Sequence, residues 1–310
     1  MLQPLARLYK GPSDHLHTST LTSHVSAAIG FALVSLLFAG VNDVVFKRYS
    51  RRERSRGMFV LGIGIVWGIL QLLALVTQGQ QLHVATPTLA FGIAAGAMVT
   101  LSNLLLLESL THLDVSLGST VYRLNTVGVV ILSFIFLGEP MNPVKLLGIG
   151  FGVIAVLYLY RDRPAHVEVH ALGLFFWVAV SASVLRAGFG VTFKAGLSQG
   201  AHAPTMMLIA AASWILGGFC YAWLRERRVR ITRKKLGYSA LSGVLVFVIV
   251  NSLTLALERG QASIVVPIAN LSFIVALALS VAMKMERFTM HKTIATVCAA
   301  VSIYLLAQLS

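Results

Sequence analysis

Charge is what this sequence has least of. Only 12% of its 310 residues are Asp, Glu, Lys or Arg, while 57% are hydrophobic; a water-facing domain of ordinary composition carries about 25% charged residues. Such a chain cannot cover an aqueous surface, so it reads as an integral membrane protein and not as a soluble enzyme, a secreted scaffold or a disordered segment. Cysteine is nearly missing as well. The 2 cysteines, Cys220 and Cys298, sit in apolar runs and give no disulfide or Cys-based metal framework. Acidic residues are scarce, 11 against 25 basic, for a net charge of +14. In a membrane protein that excess first concerns loop charges that set orientation. Catalytic signatures are lacking: no HExxH, GxSxG, P-loop or CxxC occurs. His15, His17, His24, His83, His112 and His202 lie in loops or at helix ends without metal-ligand spacing. The expectation is therefore a non-enzyme with no cofactor and no metal.

What is present in abundance is long apolar runs. A spanning helix needs about 20 apolar residues, and cutting at charged or Pro/Gly-marked breaks leaves ten. They are Val25 to Phe46, Gly57 to Thr77, Val84 to Leu107, Val115 to Leu137, Asn142 to Tyr160, Ala171 to Phe193, Pro204 to Leu224, Leu236 to Leu257, Ala262 to Met283 and Thr289 to Leu309. The runs are continuous and not alternating, which argues for helices over a barrel. The first 23 residues are polar, which predicts that no cleavable signal peptide opens the chain.

Sliding the chain against itself by 147 residues aligns Phe46 with Phe193, Lys47 with Lys194, Trp67 with Trp214, Ser133 with Ser280, Glu139 with Glu286 and Lys145 with Lys292. Four of eight lysines and two of 4 tryptophans pair at this one offset, more than chance supplies. A shift of 150 suits the third helix, where Ser102 meets Ser252 and Glu108 meets Glu258. The chain is read as a polar segment 1–23, a first five-helix repeat 24–160, a linker 161–170 and a second repeat 171–310. Because five is odd, the second repeat enters the membrane inverted relative to the first. The fold class is thus all-α, ten transmembrane helices as two inverted five-helix repeats, an arrangement typical of transporters.

The fourth-to-fifth helix junction carries a more specific signal. Phe136-Leu-Gly-Glu-Pro-Met-Asn-Pro143 followed by Lys145-Leu-Leu-Gly-Ile-Gly150 resembles the corresponding junction of the drug/metabolite transporter superfamily, EamA type. Its counterpart, Met285-Glu-Arg-Phe-Thr289 with Lys292, is similar but lacks the glycine and proline. The resemblance spans Val25 to Leu309. It implies two EamA-like repeats, secondary transport of small metabolites across a cell membrane, and a central cavity bordered by the first, third, fourth, sixth, eighth and ninth helices.

A cation at bilayer depth costs about 2.5–3.5 kcal/mol on insertion scales and marks a functional site by default. Arg123, in Tyr122-Arg-Leu-Asn125, and Arg186, deep in the sixth helix, are the basic residues away from helix ends and loops. The 147 offset sets Arg123 opposite Asn270 and Asn125 opposite Ser272. The resemblance places Arg123, Asn125, Arg186, Asn251, Asn270 and Ser272 around the cavity as substrate-binding residues. Two cations with no carboxylate expected at their depth favour a solute bearing carboxylate or phosphate. Arg186 has a structural alternative, an ion pair with Asp43 or Glu108, and Asn251 has one as a bond between helices.

The remaining features concern packing and orientation. Glu139 and Glu286 read as carboxylates capping or orienting the next helix. Gly148 and Gly152, with their equivalents Ala295 and Ala299, form small-residue faces that either dock the halves internally or build a homodimer. Trp67 and Trp214 suit packing or a gate, and Trp223, beside Arg225, suits an interfacial anchor. Eighteen of the 25 basic residues fall on the side of the loop between helices one and two. The positive-inside rule then puts both termini outside the cell, whereas the family resemblance puts them in the cytoplasm. The partners expected are a small-molecule solute and the lipid bilayer, with the basic clusters Lys47 to Arg56 and Arg225 to Lys235 serving lipid headgroups and not nucleic acid. A non-transporting membrane scaffold and a membrane enzyme on lipid-linked substrates are the competing classes. The scaffold leaves Arg123 and Arg186 unexplained; the enzyme needs a cluster of His, Asp or Glu that the scattered acids do not form.

Overall fold

Long apolar runs in lipid must satisfy every backbone N–H and C=O internally, and helices do so within one segment. The computed structural model describes residues 12–52, 55–112, 122, 125–161, 172–227, 232–283 and 289–308, and every regular element among them is helical. The elements are α1 (Pro12–Arg52), α2 (Arg56–Thr77), α3 (Thr86–His112), α4 (Asn125–Leu137), α5 (Pro143–Arg161), α6 (Leu172–Ser198), α7 (Ala203–Tyr221), α8 (Arg233–Arg259), α9 (Ala262–Asn270), α10 (Phe273–Ala282) and α11 (Met290–Ala307). A π-helical turn, Ala222–Glu226, closes α7.

Among the described residues seven segments are long and apolar enough to cross a membrane, and three shorter apolar helices, Asn125–Leu137, Pro143–Tyr158 and Met290–Leu306, fall where the fourth, fifth and tenth spans were expected. The first apolar span, Ser26–Phe46, lies where it was expected, within a longer helix α1. One expectation needs correction. The ninth span, expected as one helix, breaks at Leu271–Ser272. Pro267 lies inside α9 and has no N–H for the carbonyl of Ser263, four residues back. One turn later the chain tightens, with Leu271 N–H donating to Ile268 O and Ile274 N–H to Leu271 O, each at 3.1 Å.

The two halves interleave. Contact of α1 with α8 is matched by α6 with α3, α2 with α8 by α7 with α3, and α4 with α6 by α9 and α10 with α1. The helices α2 and α7 pack on each other, as do α5 and α11, so these repeat-related pairs meet directly. Trp67 and Trp214 stand edge to face with ring centres 6.0 Å apart at 87°, an attractive geometry for two indoles, and both are buried. Close approach here rests on glycine. A Cβ on Gly57 would lie 2.5 Å from Ala222 N, one on Gly64 2.9 Å from Ile215 N, and one on Gly218 against Leu61 N.

Between α5 and α11, Ser302 donates to Gly148 O at 2.6 Å and a Cβ on Gly152 would sit 3.1 Å from Ser302 Oγ. Ala295 and Ala299 are fully buried. Within the chain these small faces pack against each other. The outer surfaces expose Ile69, Leu73, Val76, Leu216 and Trp223, as a lipid-facing wall requires.

A matched pair of substitutions tests the α2/α7 crossing. Gly218→Val forces two backbones apart and is expected to cost about 1–3 kcal/mol, lowering the melting temperature of the solubilised protein. Gly150→Val, whose added Cβ meets nothing within 4 Å, is expected to leave that temperature within a degree or two.

Candidate functional site

Helix α4 ends at Leu137, and Gly138 follows with φ of 64°, the left-handed conformation that glycine adopts without a Cβ clash. This turn delivers Glu139, which is buried, to the start of α9 in the other half. Its carboxylate accepts from Ala262 N–H at 2.7 Å, from Ser263 N–H at 3.0 Å and from the Ser263 hydroxyl. The carboxylate thereby satisfies two of the orphan donors of a helix N-terminus and sits at its positive dipole end. Lys145, also buried, closes the cluster, with Nζ donating to Pro140 O at 2.9 Å, Gln261 Oε1 at 2.7 Å and Ser263 Oγ at 2.8 Å. On the same side Lys194 donates to Leu257 O, tying α6 to α8. Glu139 and Lys145 thus form a joint between the two repeats at one face, and the Lys194 bond braces the second repeat beside it.

The reading of Glu139 as a cap for the helix that follows it is corrected here. It caps α9, a helix of the opposite repeat. The helix following Glu139, α5, is started by Asn142, whose Oδ1 accepts from Val144 N–H at 2.9 Å. Glu286 lies outside the described residues.

Further into the bundle, Asn125 is the first described residue of α4 and Asn270 closes α9. The Asn270 amide donates to Asn125 Oδ1 at 2.5 Å and to Thr126 Oγ1 at 3.2 Å, and Asn125 donates to Tyr122 O at 2.8 Å. Two residues on, at the break in the ninth span, Ser272 donates to Asp43 Oδ2 at 3.2 Å. Asp43, offered above as a partner for Arg186, belongs to α1 and reaches the middle of the ninth span. The premise that no carboxylate lies at cavity depth is thereby overturned. A cavity lined by Thr126, Gly152, Val156, Pro267, Asn270 and Ser302 leaves about 10 Å³ for the centre of a water molecule, room for roughly one. In this conformation the asparagine pair is closed.

Arg186 is half-buried on α6, its guanidinium 5.3 Å from the centre of the Phe189 ring, and it meets no hydrogen-bond acceptor among the described residues. Its helix packs on α4, where Ser183 donates to Tyr122 O at 3.4 Å and a Cβ on Gly128 would lie 2.9 Å from Ala187. Arg123 lies outside the described residues. Glu108, offered above as a partner for Arg186, instead accepts from Tyr221 at 2.5 Å and pairs with Arg225 at 3.0 Å. Asn251 stands apart from the other candidates. Its amide donates to Gln71 Oε1 at 3.0 Å and to Phe247 O at 2.7 Å, a bond between α8 and α2.

Lys145, Lys194, Gln71 and Asp43 were not among the expected site residues. For the two lysines the signal was in view, since both are retained across the repeat, but it was read only as a mark of duplication.

The opposite face is joined differently. Glu226 accepts from Ser55 Oγ at 2.7 Å and from Gly57 N–H at 2.9 Å, capping α2 from the end of α7. Back at the first face, His83 in the α2–α3 loop and His202 before α7 bring their rings to 5.1 Å at a 41° tilt. Burial, and next the neighbouring His83, hold the His202 imidazole below the ordinary histidine range, which favours the neutral ring.

Removing the buried carboxylate tests the joint. Glu139→Ala strands the N–H groups of Ala262 and Ser263 beside a buried lysine and is expected to cost about 3–5 kcal/mol. Glu139→Gln keeps an acceptor oxygen and is expected to lose about 1–3 kcal/mol. Thermal unfolding of the solubilised protein reads both; equal melting temperatures for wild type and Glu139→Ala would contradict the cap.

Comparison with known proteins agrees with this architecture. None of the curated proteins compared matches the chain. A solved structure titled only "Crystal structure of protein" superposes with a TM-score of 0.80 at 14% identity, covering 92% of this chain and 97% of the other, a likeness of fold alone. The family model of the EamA-like transporters matches twice, at residues 26–161 and again at 173–308, once for each repeat. The chain is a multi-pass membrane protein that belongs to the EamA-like transporter family.

Proposed function

We propose that the protein is a secondary transporter that crosses the membrane ten times and carries small anionic metabolites by alternating access. The observation that carries this reading is Arg186. A guanidinium has five N–H donors, and on a membrane-spanning helix it is costly unless something uses them. Apart from the Phe189 ring, nothing described in the protein does. A carboxylate or phosphate entering between α4, α6 and α9 would take up those donors as charge-assisted pairs. Arg123, Asn125, Asn270 and Ser272 complete the proposed site, and Asn251 is kept as a positioning residue beside Gln71.

The geometry also supports a cycle. With α4 and α9 held by the Asn125–Asn270 bond, and Glu139 and Lys145 joining the halves at one face, the passage is shut on that side. Rocking of one inverted repeat against the other exposes such a site alternately. The weight of basic residues on the opposite face supports placing that face in the cytoplasm of the cell.

Solute flux into proteoliposomes, screened over amino acids, sugar phosphates and organic acids, tests the reading. Flux of an anion is expected, falling roughly tenfold in Arg186→Ala and in Arg123→Ala and partly returning in the Lys variants, since a point charge replaces the fork. Flux indifferent to both alanine variants would overturn the site, and no flux of any of these solutes by folded protein would overturn the function. A reporter fused to the C-terminus and active only in the cytoplasm is expected to stay silent.

A further inference from the structure

The His83–His202 contact has a geometry that transport by the central site does not require. The two rings belong to opposite repeats, on the same face as the Glu139 joint. His83 Nδ1 lies 3.2 Å from the carbonyl of Gln81, and next to a carbonyl oxygen that nitrogen carries the proton, which leaves Nε2 with its lone pair. His202 Nδ1 lies 2.8 Å from Thr205 Oγ1, so its remaining nitrogen is again Nε2. A ring nitrogen held by a carbonyl or hydroxyl while the other stays open is the outer-shell pattern of metal-binding histidines. His202 is further fixed by its backbone N–H donating to Thr88 Oγ1 at 3.0 Å.

Spacing agrees with this. With a Zn–N length of about 2.0–2.1 Å, each imidazole centre stands roughly 3.2 Å from the metal. At a tetrahedral angle the two centres are then about 5.2 Å apart, against the observed 5.1 Å. His83 is exposed and His202 half-buried, so an ion from the aqueous phase has access. We propose that His83 and His202 form a site for one divalent transition-metal ion of the zinc type, which on binding clamps the two repeats together at this face. Among the described residues no third His, Cys, Asp or Glu joins them, so water completes the coordination and the ion is exchangeable, not structural.

The test uses tag-free, full-length protein in detergent micelles, titrated with Zn2+ in competition with a chromophoric chelator. One Zn2+ per chain is expected, weakened by roughly tenfold or more in His83→Ala and in His202→Ala alike, and lost in the double variant. Because a clamp favours the folded state, Zn2+ is expected to raise the melting temperature of the wild type and not of the double variant. His83→Asn with His202→Asn serves if the alanine pair does not elute as a single folded species. Wild-type affinity in the double variant, or loss of binding through one histidine only, overturns the proposal. Neither readout depends on solute flux, so this site stands or falls separately from the transport reading.

Discussion

A helix that begins inside a membrane protein has backbone N–H groups that lipid cannot satisfy, and the start of α9 meets that demand with a side chain from the other repeat. Glu139 accepts from Ala262 and Ser263, and Lys145 then neutralises the buried carboxylate through Ser263 and Gln261. Lipid offers no hydrophobic drive to press helices together, so directed bonds of this kind, with close glycine packing, hold the halves in register. The position of α9 fixes where Asn270 stands against Asn125, and the break after it fixes where Ser272 meets Asp43.

Two copies of one design in the proposed inverted arrangement would present equivalent contacts to opposite faces, yet the contacts described at the two faces differ. One face is held by Glu139 and Lys145, and the other by Glu226 capping α2 and by Glu108 with Tyr221 and Arg225. The halves are alike in path and unlike in chemistry. The same asymmetry sets Arg186 against Ala39 of the first repeat, and Asp43 against Gly190 of the second. Each half therefore contributes a charge of opposite sign to the middle of the bundle.

Much of the architecture was legible in the sequence because it rests on patterns that survive duplication. Paired lysines and tryptophans at one offset revealed the two repeats, and apolar runs located the helical segments. The bond between Asn125 and Asn270 could not be read from the offset, which makes Asn125 the repeat equivalent of Ser272 and says nothing of which residues touch. The break at Leu271 was invisible for a related reason, since no glycine or proline stands there and the cause, Pro267, acts from a turn away. Glu139 was recognised as a cap, but which helix it caps depends on long-range packing, and spacing favours the nearer one. The contact between His83 and His202 had no local signature at all.

The central claim is that the Glu139–Lys145 joint holds the two repeats closed at one face. It is tested most directly by electron–electron distance measurement between spin labels at Met141, in the exposed α4–α5 loop, and Gln199, in the exposed turn after α6. One narrow distance distribution is expected in the otherwise wild-type protein and, in Glu139→Gln, a broader one extending to longer separations. An unchanged distribution in that variant would contradict it.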